Sequence, residues 1–303
     1  MEQNKRFGLT FTQKDIYFDQ LRHPDNPLYN VGGYIRLGKI DVDRLITTHR
    51  LLVERCEIFG LRIKPSANGL EQYISEERTT TLPVVDFSSQ EDSESVAKTW
   101  LAELFETPVA FEDCELFKVV LLKIHDNSYW YMGLAHHLMM DGWGFSNWAR
   151  QLGLIYGDDA LAQGTLAQSS DDQGPDDQEK GLWQEVALKD EQYLSSKKYQ
   201  SDRNYWLEQE GLRADKLLTA HYQSKYSGKK AVASHREILP IAKDKYAAIS
   251  DLAKQYSVGV AHVFLGMVAS YFSKIYSQSD LVFGIPAHNR KNHQQKQMLG
   301  VFT

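Results

Sequence analysis

At 303 residues, with 42% hydrophobic and 24% charged side chains, the chain has a globular composition and the length for two lobes with cores of their own. A formal net charge of −6 without a basic stripe argues against nucleic-acid and anionic-membrane binding, and no apolar run reaches the roughly 20 residues of a membrane span. Cys56 and Cys114 lack C-x-x-C spacing, so neither a disulfide framework nor a zinc site has support, and the polar N-terminus reads as that of a cytoplasmic protein.

Taken in order, Thr12 is placed to cap a short helix carrying Ile16, Tyr17, Gln20 and Leu21, and a polar turn follows at residues 23–27. Tyr29 to Leu37 reads as a strand whose adjacent Gly32 and Gly33 point to a bulge or a close backbone approach. Val42, Leu45, Ile46, His49, Leu52, Val53 and Cys56 recur at helical spacing, with Asp41 or Asp43 at the helix start. Gln72 to Ile74 is a strand, and Ser93 caps a helix bearing Val96, Trp100, Leu101, Leu104 and Phe105. Leu116 to Ile124 is the next strand, and the turn at Asp126-Asn127 makes a hairpin with the one after it. The alternation up to Tyr156 implies an α/β lobe.

Tyr129 to His136 is aromatic or apolar almost throughout, as suits a strand buried on both faces. Asp141 and Gly142 end it, and Phe145, Trp148, Ala149, Leu152 and Ile155 then recur at helical spacing. The strand exit therefore carries His136-His137-x-x-x-Asp141-Gly142. Successive strand side chains point to opposite faces, so one histidine alone can serve a given substrate. His137, nearer the turn, is the candidate, because an imidazole titrates near neutral pH. A lone histidine here is more often structural and a lone Asp before a helix more often an N-cap. The residues at this fixed spacing favour a functional site.

Residues 162–180 are rich in Asp, Gln, Ser and Gly and read as a solvated acidic loop. Order resumes at Trp183, and Asp190 to Trp206 is helical. Ser234 to Leu239 reads as a strand, Lys243 to Gln255 as an amphipathic helix, Val260 to Ile275 as a largely buried helix, and Asp280 to Pro286 as a strand leading to Arg290. The chain has no G-x-S-x-G elbow, no phosphate loop and no complete dinucleotide fingerprint. Neighbouring histidines that diverge on a strand, without a third ligand at a familiar spacing, do not suggest a metal.

The His136-His137-x-x-x-Asp141-Gly142 motif resembles the signature of the condensation domains of nonribosomal peptide synthetases, in the chloramphenicol-acetyltransferase-like superfamily. Further matches are Thr10-x-x-Gln13 before Pro27-x-Tyr29-Asn30, Arg55-x-Glu57, Asp202-x-x-Tyr205-Trp206, Gly284-x-Pro286-x-x-x-Arg290 and Gly300-x-Phe302. The resemblance implies an α/β fold of two such lobes, mixed sheets with packed helices around a V-shaped cleft. Residues 1–180 would be the first lobe and 181–303 the start of a second, incomplete one.

The resemblance also implies amide-bond formation. The amine of an acceptor attacks a donor thioester, both carried on phosphopantetheine of donor and acceptor peptidyl carrier proteins beside an adenylation domain, with no directly bound cofactor. His137 would take the amine proton, or hydrogen-bond the amine and the tetrahedral intermediate; the resemblance leaves both open. Gly142 would admit close backbone approach, His136 and Asp141 would support the site, and Arg290 would reach Asp141 from the second lobe. The chain departs from the family at Cys56, where a histidine is usual, and at Gly60, where a second arginine helps hold the site. Arg62, two places on, is the candidate substitute. The motif is shared with CoA-dependent O-acyltransferases, and a non-catalytic recruitment module is a further alternative, against which the intact motif argues.

Overall fold

In the computed structural model, which describes residues 5–67, 69–159, 181–209 and 237–303, the apolar stretch before the paired histidines is a strand buried from Tyr129 to its end. The strands are β1 (Phe7–Gly8), β2 (Asn30–Leu37), β3 (Leu61–Ser66), β4 (Gly69–Ile74), β5 (Val84–Asp86), β6 (Phe117–His125) and β7 (Ser128–His136). The helices are α1 (Phe11–Arg22), α2 (Val42–Arg55), α3 (Ser93–Glu106), α4 (Gly142–Gly157), α5 (Leu182–Leu194), α6 (Lys197–Glu208), α7 (Lys243–Gln255), α8 (Val260–Tyr276) and α9 (His293–Gln297).

A four-stranded mixed sheet runs β2-β7-β6-β5, with β5 parallel to β6 and the other pairs antiparallel, and β1-β4-β3 form an antiparallel three-stranded sheet. Both faces of β7 are covered. Tyr129, Tyr131 and Ala135 enter the larger core with residues of α2, α4 and the second sheet. Trp130, Met132 and Leu134 enter a smaller core with Ala97 and Leu101 of α3. The two-residue side-chain period of a strand thus feeds two cores from one apolar run.

The close approach expected of the paired glycines is real. Gly32 lies opposite Leu134, and a Cβ on it would collide with the carbonyl oxygen of Gly133, whereas nothing lies within 4 Å of one on Gly33. The cap of α1 is Thr10 rather than Thr12, because the helix begins at Phe11. Its hydroxyl accepts from Gln13 N (3.2 Å) while Gln13 Oε1 accepts from Thr10 N (3.0 Å), a capping box. Likewise Asp92, not Ser93, caps α3, accepting from Ser95 N at 3.2 Å. Asp41 caps α2, whose Leu45, Leu52 and Val53 are buried against the sheet. The helix expected from Asp190 to Trp206 is interrupted, since the Ser196 hydroxyl bonds Tyr193 O (2.6 Å) and accepts from Tyr199 N (3.1 Å), ending α5 and starting α6.

The chain divides into two compact units, Met1–Gln200 with Pro286–Thr303, and Ser201–Ile285. This differs from a division at residue 180. Trp183, Met298, Leu299, Val301 and Phe302 are buried in the larger core of the first unit and carry their segments with them. The acidic stretch 162–180 lies outside the described residues, as do Ser234 to Arg236 of an expected strand. In the second unit α7 and α8 meet at a bend of 98°. No residue of α8 is buried, contrary to expectation, because α7 is its helical neighbour among the described residues and covers little of its surface. Glu237 to Leu239 and Asp280 to Pro286 form no strand, since no partner strand lies beside them among the described residues.

The glycine pair gives a paired test. Gly32→Ala should destabilise the protein by about 1–3 kcal/mol through overpacking against β7, and Gly33→Ala should change stability by less than about 0.5 kcal/mol. Urea midpoints measure both, and equal effects would refute the β2–β7 register.

Candidate active site

The loop after β7 is pinned by its own peptide groups. His137 N donates to Tyr29 O (2.8 Å), Met139 N to His136 O (2.9 Å) and Asp141 N to Gly300 O (3.1 Å). Leu138 is held on both sides: its N–H donates to His136 Nδ1 (3.1 Å), and its carbonyl accepts from Gln13 Nε2 (3.1 Å).

The two histidines differ in state. His136 is 1% exposed, between Tyr29 and Phe111 with ring centroids at 6.0 and 5.3 Å. Burial, then the neighbouring His137, pushes its pKa down to about 4, so it is neutral at pH 7. With Nδ1 accepting from Leu138, the network assigns the ring proton to Nε2, which is buried without a partner among the described residues. His137 is half-buried, edge-on to Tyr29 at 6.5 Å, and its Nδ1 has no partner among the described residues. His136 therefore braces the loop, while His137 makes no side-chain hydrogen bond there.

Asp141 is saturated. Its Oδ1 accepts from Gly144 N (2.7 Å) and Arg290 Nη2 (3.0 Å), and its Oδ2 from Arg290 Nη1 (2.8 Å), Phe302 N (2.9 Å) and Thr303 Oγ1 (3.0 Å). The side chains of Arg290 and Asp141 are 0% and 1% exposed. Burial alone would raise the Asp141 pKa, but Arg290 and the amides of Phe302 and Gly144 outweigh it and hold the carboxyl below its ordinary value. Asp141 is thus both N-cap of α4 and half of a bidentate ion pair.

Arg290 and Asp141 lie within the same compact unit. The segment that carries Arg290 is strapped along one face of α4. Trp143 Nε1 and Asn147 Nδ2 donate to Lys296 O (2.9 and 2.8 Å), Asn147 Nδ2 also to Met298 O (3.0 Å), and Gln151 Nε2 to Gln297 O (3.2 Å). Positions 143, 147 and 151 share that face because helical neighbours recur every four residues. Gly142 opens α4, and nothing lies within 4 Å of where its Cβ would stand.

Arg62 is not brought to the motif. Its guanidinium bonds Leu61 O (3.1 Å) and Glu77 O (2.8 Å) and pairs with Glu115 at 3.4 Å, one residue before the Leu116 carbonyl that accepts from His136 N (2.8 Å). A side chain at Gly60 would instead collide first with the backbone carbonyl oxygen of Ser75 and then with Arg78, whose Nε lies 2.8 Å from the site of a Cβ. Arg78 Nη1 donates to Val53 O (3.0 Å), Glu54 O (3.2 Å) and Cys56 O (3.2 Å), closing the C-terminus of α2. The sequence reading missed Arg78 and the bond from Gln13 to Leu138, because neither lies near its partner in sequence. Among the described residues no cluster of His, Cys, Asp and Glu is placed to hold a metal.

A family model described as the condensation domain matches residues 3–303. The dimodular nonribosomal peptide synthase of Bacillus subtilis (strain 168) is 27% identical over 287 residues, a match covering 94% of this chain and 11% of that protein. Surfactin synthase subunit 1 of the same organism is 25% identical over 301 residues, 98% of this chain and 8% of the relative. The chain thus spans about a tenth of the length of these relatives. Among solved structures, the starter condensation domain of rhizomide synthetase superposes with a TM-score of 0.79 at 23% identity, over 98% of this chain and 64% of that one. The first condensation domain of the calcium-dependent antibiotic synthetase, in complex with a substrate analogue, gives 0.79 at 22% identity, over 98% and 67%.

Removing one partner of a buried ion pair leaves an uncompensated charge, so Asp141→Ala and Arg290→Ala should each cost about 3–5 kcal/mol. The double variant should lose less than the sum, and additive losses in a denaturation cycle would show that the pair is absent. The histidines add a pH dependence. His136 and His49 each have a folded pKa of about 4 against 6.5 when free, so between those values the unfolded chain binds more protons. Stability should therefore be full above about pH 6.5 and decline as pH falls towards 4; Asp141, with its lowered pKa, adds loss only below about pH 4. Urea midpoints that stay flat from pH 7 to about pH 4 would refute the neutral burial of both rings.

Proposed function

The chain belongs to the condensation-domain family, and on that premise we propose that it joins an acceptor amine to a donor acyl or peptidyl group in nonribosomal peptide biosynthesis. Both substrates arrive as thioesters on the phosphopantetheine arms of peptidyl carrier proteins. The amine nitrogen attacks the donor carbonyl, a C–N bond forms, the C–S bond breaks, and the nitrogen's proton leaves with the departing thiolate. Transfer is direct and requires no acyl-enzyme. In this reading the domain works in the cytoplasm within a larger synthetase, next to an adenylation domain.

One observation carries the reading: within the motif, His136 and Asp141 are buried and committed to the chain, while His137 is half-open and makes no side-chain hydrogen bond among the described residues. His137 is left to hold the attacking amine and pass its proton to the thiolate. A reference α-amine has a pKa of roughly 8, so part of it is already neutral at pH 7 and positioning contributes beside base strength. In this reading the Gly142 amide, at the positive end of α4, donates to the developing oxyanion. Arg290 and Asp141 fix the start of that helix, and Arg62 supports the strand beneath through Glu115.

Mixing the chain with loaded donor and acceptor carrier proteins should yield the amide, detected by mass spectrometry. His137→Ala should slow it by about 10²–10⁴-fold while moving the melting temperature by less than about 2 °C. Activity within a few-fold of the parent would remove His137 from its role. Acyl transfer from CoA to an alcohol without carrier proteins would replace condensation by ester formation.

A further inference from the structure

The bond from Gln13 to the histidine loop is one corner of a closed buried network. Gln13 Nε2 donates to Leu138 O (3.1 Å) and Gln72 Oε1 (2.9 Å), while Gln13 Oε1 accepts from Thr10 N (3.0 Å) and Gln72 Nε2 (3.0 Å). Gln72 gives its other hydrogen to Gly8 O (2.8 Å) and its other acceptor site to Trp183 Nε1 (3.1 Å). Both glutamines are 0% exposed. Every donor and acceptor of both amides is used, so flipping either one would set oxygen against oxygen; the network fixes their orientation.

We infer that Gln13 is a positioning residue for His137, acting through the Leu138 carbonyl. The capping box of α1 needs only a side-chain oxygen at position 13, which Glu supplies as well as Gln. The amino group is therefore surplus to the helix, and it is spent on Gln72 and on the peptide that follows His137. With His137 N on Tyr29 O, Leu138 N on His136 Nδ1 and Leu138 O on Gln13, the backbone is fixed on both sides of the His137 Cα. Trp183 and Gln72 hold Gln13 from behind, so the first helix, the second sheet and α5 together set the aim of one imidazole.

This rests on His137 as the working residue of the condensation reading, and its test has an arm that does not. Gln13→Glu keeps the capping oxygen and, when ionised, cannot donate to Leu138 O; Gln13→Met keeps the volume and removes both functions. Thr10→Ala is the control, because it weakens the same helix cap without touching the loop. In the full chain both Gln13 variants should shift the ring ¹⁵N signals of His136 and His137, and Thr10→Ala should lower the melting temperature without shifting them. With loaded carriers, kcat should fall by about 10–100-fold in the Gln13 variants while KM for the acceptor stays within about threefold, as displacement rather than lost binding predicts. Unmoved ring signals in Gln13→Met, or equal shifts in Thr10→Ala, would overturn the role. A parent chain that forms no amide counts against the condensation reading, whereas the ring signals decide the role of Gln13 without turnover.

Discussion

The site depends on one buried carboxylate. Taking Asp141 and Arg290 out of water is costly, and the pair is stable here because almost every polar atom around it is matched. Asp141 also caps α4 and receives the amide of Phe302, and Arg290 stacks on the Phe302 ring at 4.3 Å and bonds Gly300 O. Gly300, at φ +149°, lets the chain pass so close to Trp183 that a Cβ would stand 2.8 Å from its indole. The last described residues, the start of α4 and Trp183 thus close round one charge pair.

A second buried carboxylate repeats the device. Both oxygens of Glu57 accept backbone amides at the start of α5, from Gly181 and Trp183 at 2.7 Å each. Burial raises its pKa and these bonds work in the opposite direction. The Arg55-x-Glu57 match thereby acquires a physical meaning: the acid caps a helix that begins more than 120 residues later. Trp183, so anchored, donates to Gln72, and the chain of contacts returns to the histidine loop through Gln13.

The division of labour inside the motif follows from burial. An imidazole with one nitrogen committed to a backbone amide and the other enclosed stays neutral and rigid, as does His49 beneath the sheet, bonded to the Tyr131 hydroxyl at 3.0 Å. Beside them His137 is the half-open ring of the motif, on a backbone held by the hydrogen bonds of its own and the next peptide group.

The local pieces could be read from the residues alone, because side-chain periodicity reports which faces a strand or helix must bury. The apolar run of β7, its hairpin with β6, the helical repeats of α2 and α4 and the fixed spacing of His136, His137, Asp141 and Gly142 were all legible that way. Residues 280–286 and 260–275 mark the limit of that reasoning, since a strand needs a partner and burial needs a neighbour that no local pattern supplies. The folded chain alone settles which histidine is neutral, that Asp141 is saturated, that the Ser75 carbonyl and Arg78 occupy the space at Gly60 while Arg62 turns to Glu115, and that Gln13 reaches Leu138. Those are bonds between residues tens to more than a hundred positions apart, and their partners are chosen by chain closure and by the cost of leaving a buried polar group unpaired.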